Sequence, residues 1–496
     1  MAQDQEYALG IDLGTTNCCA AYCWYTNKLN FKIIEHGDCS PLLPSIVTYS
    51  SKNGEPSVGN KGGLVEFPET TIINSKRFIG LSFNDPGVVN DSKFLPYKTI
   101  NRDDKVGFEL TFNNNKDKLI FTPTEIATQL LREIKNNADN TLNKNFTKAV
   151  VTVPAYFNNN QRNETKLAAK RAGFNEVYIL DEPVAAALAY GYETDFDTDS
   201  DCNLLVFDLG GGTFDVSIVC VKNGDEYEVL AKTGDSHLGG TDFDHCLFEY
   251  FKNDLNKKHR IDVTSNNIYK TKLLNACEKA KINLSKNKKA EFDIQFGSYC
   301  CTLEITRDIF EKICQKEFEK TKETIDEALK LANIESSSIN HIILVGCSSS
   351  IPYISKSILR EKFTNSKISN DVNPAEVVAR GAAQKAAFIS GNIHGNISEI
   401  KIRNKTSLSF GVSVVHGKFF CIVPKNTEYP IEQSKVFQTV MDNQQQLRLS
   451  IYQGERPYAR NNYFLGSIRI SVTPLPESQA KATLRYLIES TILLNI

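Results

Sequence analysis

The feature that most constrains this chain is a hairpin pattern that occurs twice. Residues 9–23 read LGIDLGTTNCCAAYC and residues 204–219 read LLVFDLGGGTFDVSIV, each a buried strand, an Asp-Leu-Gly turn with a threonine, and a second strand of alternating apolar and polar residues. Backbone amides approach an anion closely only where no Cβ intervenes, so Gly210-Gly211-Gly212 suggests a phosphate cradle. A Walker A loop needs Gly-Lys-Ser/Thr opening a helix, and a dinucleotide fingerprint needs a strand-to-helix turn; neither follows here. Asp12 and Asp208 lie 196 residues apart (208 − 12), the spacing that duplication of a whole lobe produces. Either copy alone is an ordinary hairpin, but two with a hydroxyl residue beside the glycine argue for a shared design.

The remaining pattern alternates strands and helices. FTPTEIATQLL opens a helix over about 121–142, with Thr122 as cap, Pro123 at the first helical position and Glu125 closing a capping box. KAVVTVPAYF reads as a buried strand ending at Pro154, and QRNETKLAAKRAGF as a helix running to Gly173. A long amphipathic helical region is predicted over about 306–333, then a strand in INHIILVG and an alanine-rich helix in PAEVVARGAAQKAAFIS. This alternation is α/β. The composition changes over 391–404, the expected linker, and alternating segments beyond it describe a small all-β module.

Composition excludes several classes. The 496 residues suffice for two or three domains, and a net charge of −2 announces neither nucleic acid nor anionic lipid. No signal segment and no run of membrane-spanning length is visible, so a cytosolic or nuclear location is expected. The 13 cysteines lack metal-ligand spacing and read mostly as small buried residues in a reducing compartment.

In this order, GIDLGTTN, SKRFIG, VVTVPAYFNNNQR, DEPVAAALAYG, VFDLGGGTFDVSI, HLGGTDFD, ACEKAKINLS, ILVGCSSSIP and MDNQQQLRLSIYQGER resemble the seventy-kilodalton heat-shock (DnaK-like) chaperones over essentially the whole chain. The resemblance implies an actin-like α/β ATPase domain over 1–390, with lobes of about 1–190 and 191–390. A linker at 391–404 and a truncated β-sandwich at 405–496 follow. It implies ATP or ADP with Mg²⁺ as cofactors, and a potassium ion. Gly14, Thr15, Thr16, Gly210, Gly211, Gly212 and Thr213 are the implied phosphate clasp, and Gly239 and Gly240 pass near the phosphates and ribose. Lys76 reaches the γ-phosphate and the attacking water, which Glu182, Asp208 and Thr213 orient; Asp12 and Asp208 hold hydrated Mg²⁺ and Asp215 helps bind potassium. Carboxylate, lysine and metal are what phosphoryl transfer needs, because it depends on positioning and charge compensation.

Glu278, Lys281 and Ser285 fall at i, i+3 and i+7, so one helix face offers a carboxylate, an ammonium and a hydroxyl to a nucleoside; a solvated face has the same spacing. Gly346, Cys347 and Ser350 belong to the family's adenosine motif, with Cys347 at a glycine position and Ser350 at an arginine position. Losing a planar cation from the base predicts nucleotide affinity below the family norm. Ile282, in place of an arginine of some members, is harmless by comparison.

In the β-module, Val412, Val415, Phe437, Val440, Leu447 and Leu449 match a pocket that takes an extended apolar peptide, although sandwich core would alternate in the same way. The chain ends at LRYLIESTILLNI, where the family adds a strand and a helical lid, so weak and rapidly exchanging peptide binding is expected. The linker Ile400-Lys401-Ile402-Arg403-Asn404 replaces a leucine run ending in aspartate and is expected to dock poorly as a strand. Pro154 and Arg162 match the relay between nucleotide and linker, and Tyr178 stands in place of an arginine that helps receive the J-domain.

Two functions compete. The first is an ATP-hydrolysing chaperone for unfolded or nascent polypeptides, with slow turnover, a J-domain co-chaperone and a nucleotide-exchange factor. The second is a ribosome-associated scaffold with weak or no hydrolysis and a constitutive J-protein partner. A sugar kinase on the same fold leaves the β-module unexplained.

Overall fold

The computed structural model describes residues 6–37, 39–112, 117–193, 201–369, 373–391, 401–489 and 494–495. The expected linker segment 392–400 therefore lies outside the described residues. Both hairpins form as the pattern requires. Tyr7–Asp12 pairs antiparallel with Asn17–Tyr25, and Cys202–Leu209 pairs antiparallel with Phe214–Lys222, placing Asp208 opposite Asp215. Each first strand also takes a parallel partner on its other edge, Phe146–Val153 in one half and His341–Val345 in the other. The duplication thus extends to sheet topology.

The first sheet runs Glu176–Asp181, Phe146–Val153, Tyr7–Asp12, Asn17–Tyr25, Leu29–Ile33. Pro123–Leu142 and Asn159–Arg171 cover it, both opened by capping boxes, at Thr122/Glu125 and Asn158/Gln161. Between the halves lie two alanine-rich helices, Glu182–Glu193 and Val377–Ile389. Their small residues allow a close crossing: a Cβ on Gly381 would lie 1.8 Å from the Ala185 carbonyl oxygen. Substitution there would push the helices, and with them the two sheets, apart.

The helical region expected over 306–333 comprises two helices, Arg307–Ile313 and Gln315–Ala332, with Cys314 between them in a non-helical conformation and fully buried. The expected poor docking of the linker is corrected more substantially. Lys401–Lys405 pairs in parallel with Glu226–Asp235 as the sixth strand of the second sheet, crosses the boundary expected at 404, and pairs on its other edge with the seventh strand, Glu428–Tyr429. Alternation explains this, because such a strand has two faces with different demands. Asn404 is buried and Ile402 half-buried, while Lys401 and Arg403 are exposed, with Arg403 reaching Glu226 at 2.6 Å. Charge at alternate positions suits a strand with one wet face.

Beyond it, Phe410–Ser413, Phe419–Val423, Gln446–Gln453 and Tyr463–Ser471 form one sheet and Ile431–Gln438, Lys481–Ile488 and Leu494–Asn495 another. Phe410, Val412, Leu449, Ile451, Leu484 and Tyr486 are buried between them.

Candidate functional site

Between the halves lies a cavity of about 630 Å³, the size of a small-molecule site. Asp12, Gly14, Thr15 and Thr16 line it from the first hairpin, and Asp208, Gly210, Gly211 and Thr213 from the second. Lys76 and Glu182 line it as well, as do Glu278, Lys281 and Ser285 with Gly346, Cys347 and Ser350. The spacing argument for the 278–285 face therefore places all three side chains on the cavity rather than in open solvent. Gly212, Gly239, Gly240 and Asp215, also expected at the site, are not among the residues that line it.

Hydrogen bonding holds the second hairpin to the helix Gly240–His259. The Gly240 amide donates to the Gly210 carbonyl at 2.9 Å and the Thr241 amide to the Gly211 carbonyl at 2.9 Å. Gly239 is required by this approach, since a Cβ there would lie 2.5 Å from the Gly212 nitrogen. The first hairpin is braced by Ser45, whose hydroxyl donates to the Gly14 carbonyl at 2.7 Å.

Lys76 sits in a short 3-10 turn, Ser75–Phe78, and its Nζ donates to Glu182 Oε1 at 2.7 Å, with both side chains buried. Burial alone would lower the Lys76 ammonium, but Glu182 and Asp12 outweigh it and hold it above its ordinary value. Asp12 is pushed up to about 7, chiefly by burial and then by Glu182. Burial and the facing carboxylates also raise Asp208 and Asp215 well above the carboxylate range. Asp208 Oδ2 is buried without a hydrogen-bond partner. Asp12, Asp208, Asp215 and Glu182 share one lysine, a set short of positive charge; among the described residues no three of them are gathered to ligate a bare ion, and the orphaned Asp208 Oδ2 fits the water shell of a hydrated divalent cation.

Lys281 is committed in two directions, donating to the Gly240 carbonyl and to Asp244 Oδ2, each at 2.8 Å. Burial pushes Asp244 up to about 6 against the pull of Lys281, and its Oδ1 has no partner. Sequence reading passed over Asp244, although HLGGTDFD ends on it; its position one helical turn beyond Gly240 was the available signal.

The relay positions lie in a second buried cluster. Arg162 donates to the Phe157 and Ala155 carbonyls at 3.0 and 3.1 Å and pairs with Asp181 at 2.6 Å. Lys232 Nζ donates to Asp181 Oδ2 at 2.8 Å and to Asn404 Oδ1 at 3.1 Å, and Asn404 Nδ2 donates to Asp181 Oδ2 at 3.1 Å. Burial would raise Asp181, but Arg162 and Lys232 prevail and hold it at about 2. Pro154 is buried where the Phe146–Val153 strand ends, and its carbonyl accepts from the Phe157 amide at 3.1 Å. Ala155 also accepts from the Ser407 hydroxyl, and the Tyr156 amide donates to Asp215 Oδ1 at 3.3 Å. Lys232 carried no motif and escaped notice.

The six β-module positions divide. Val412, Leu447 and Leu449 are buried, Phe437 is half-buried, and Val415 and Val440 are exposed. Val412 and Leu449 pack in the sandwich core. Tyr178 is half-buried, and its hydroxyl donates to Glu176 at 3.0 Å. Among the described residues no helix is long and apolar enough to cross a membrane.

The family model described as "Hsp70 protein" matches residues 8–496. A heat shock 70 kDa protein of Neurospora crassa is 36% identical over 493 residues, covering 99% of this chain and 75% of the relative. Heat shock cognate 70 kDa protein 3 of Dictyostelium discoideum is 35% identical over 494 residues, covering 99% and 77%. Heat shock 70 kDa protein 2 of Paracoccidioides lutzii is 35% identical over 493 residues, covering 99% and 74%. The family's members are chaperones and ATPases that bind ATP or ADP with Mg²⁺, and the two half-sheets with their paired hairpins are its actin-like fold. This chain belongs to the Hsp70 family.

Proposed function

We propose that the chain hydrolyses ATP slowly in the interlobe cleft and couples the nucleotide state, through the paired linker strand, to binding of apolar polypeptide segments by the β-module. In this reading the units are an ATPase domain over 1–390, a linker over 391–404, whose strand Lys401–Lys405 runs one residue past its end, and a β-module over 405–496. The observation that carries this reading is the buried Lys76–Glu182 pair at 2.7 Å beside carboxylates raised by burial. Mg²⁺, when bound, supplies the charge compensation those carboxylates lack, with Asp12 and Asp208 holding its hydration shell. Lys76 neutralises charge at the terminal phosphate, Glu182, Asp208 and Thr213 orient the attacking water, and the glycine hairpins present backbone amides to phosphate oxygens. Potassium would bind beside Asp215.

Asp215, Tyr156, Ala155, Arg162, Asp181 and Asn404 form a contiguous hydrogen-bonded and ion-paired route from hairpin to linker. The contiguity of this route supports coupling. The partners are non-native or nascent polypeptides, a J-domain co-chaperone and a nucleotide-exchange factor, in a cytosolic or nuclear setting. The second reading, a ribosome-associated scaffold with a constitutive J-protein, is favoured by Cys347 and Ser350 on the cavity wall, where the family carries a glycine and an arginine. Single-turnover ATP hydrolysis, with and without saturating apolar peptide or a J-domain, separates the two. Acceleration by either addition supports the chaperone cycle; indifference to both, or tight retention of ATP, supports the scaffold.

A further inference from the structure

The segment Asp91–Phe94 of the first half crosses to the second half at several independent points. Asp91 Oδ2 lies 2.9 Å from His237 Nδ1, and Asp91 Oδ1 pairs with Arg77 at 3.2 Å. Arg77 itself extends to Asp242 at 2.6 Å, and that carboxylate also accepts from the Gly239 amide at 2.8 Å. Lys270 Nζ donates to the Lys93 carbonyl at 2.8 Å. At the end of the segment, the Phe94 ring stacks on the His245 imidazole with centroids 3.6 Å apart and planes at 15°. Phe94 and His245 both line the 630 Å³ cavity, so this stack forms part of its wall.

We propose that Asp91–Phe94 is an interlobe strap and that the Phe94–His245 stack is its clasp, holding the cleft closed on bound nucleotide and setting the rate of nucleotide release. The inference rests on the cleft being the ATP site. Separating the halves requires parting the rings, whereas Asp91 and Lys270 make polar contacts that water can replace. The stack is therefore the part of the strap whose loss water does not compensate. Burial lowers His245 to about 4, so at neutral pH the clasp joins two uncharged rings. Neither side chain belongs to the two half-cores, so truncating either leaves those cores intact.

The test is stopped-flow release of a fluorescent ADP analogue from the full chain. Phe94→Ala and His245→Ala are each expected to raise the dissociation rate about tenfold, with association changed less than about twofold and the thermal midpoint little moved. The double variant is expected to match either single one, since each already removes the contact. His245→Phe restores a ring opposite Phe94 and is expected to return the rate toward the parent, which a general loosening of the fold would not do. Release within about twofold of the parent in both alanine variants overturns the strap, as does failure of His245→Phe to rescue. If the parent itself binds no nucleotide, the ATP-site reading falls first, and that result is read from the parent alone.

Discussion

Asp181 and Glu182 are consecutive in the chain, yet they belong to two buried charge clusters of opposite character. Asp181 ends a strand and is enclosed by Arg162, Lys232 and Asn404, every partner coming from the protein. Glu182 begins a helix and shares a single lysine with Asp12, Asp208 and Asp215. The first cluster holds its carboxylate at about 2; the second pushes Asp12 up to about 7. A charge satisfied within the fold is a joint, and charges left unsatisfied at a cavity wall await an external ion.

Two substitutions separate the clusters most sharply. Lys76→Ala removes the one cation of the cavity cluster, and turnover is expected to fall at least 10³-fold, about 4 kcal/mol of lost transition-state stabilisation. Nucleotide binding, measured by titration, is expected to persist; hydrolysis at the parental rate would detach Lys76 from the chemistry. Lys232→Met should instead spare the chemical step and cost stability, roughly 3 kcal/mol, by leaving Asp181 and Asn404 short of a buried partner. Denaturant unfolding measures this, and pairing the change with Asp181→Asn should recover part of the loss. If Lys232→Met lowered single-turnover hydrolysis as far as Lys76→Ala, the two clusters would be one machine.

The difference between the clusters also explains what could be read beforehand. Asp12 and Asp208 were legible because their hairpins are local: an aspartate, a glycine turn and alternating strands are written within fifteen or so residues. The Lys232 joint was not, because Asp181, Lys232 and Asn404 come from three separate segments and none of them forms a pattern alone. The linker was misjudged for a related reason. A charged replacement for a leucine run reads as poor docking, whereas a strand beside Glu226–Asp235 needs only Ile402 and Asn404 to face inward. Cys314 broke the predicted helical region invisibly, since a buried cysteine suits a helix or a kink equally well.

Protonation gives the two clusters opposite dependences on pH. Asp181 is depressed from 3.8, so its contribution to stability is complete above that value and lost as pH falls toward 2. Asp12 is raised, so its contribution is complete below 3.8 and lost as pH rises through about 7. A bound cation must displace that proton, so the thermal shift produced by Mg²⁺-ATP is expected to grow between pH 6 and 8. Asp12→Asn should flatten the growth. A shift equally steep in the variant would assign the proton to Asp208 or Asp215 instead.

The smallest effect lies at the rim of the joint. Arg403 reaches Glu226 at 2.6 Å but is mostly exposed, and water competes for both partners. Arg403→Ala is therefore expected to cost less than about 1 kcal/mol and to leave the pairing of Lys401–Lys405 in place, as amide hydrogen exchange along that strand would record. Asn404→Ala, one residue on, removes the buried amide that joins Asp181 and Lys232 to the linker and should deprotect the same amides strongly. Equal exchange in the two variants would mean that the strand is held by its backbone ladder alone, and that Asp181 is a joint within the nucleotide domain rather than between it and the β-module.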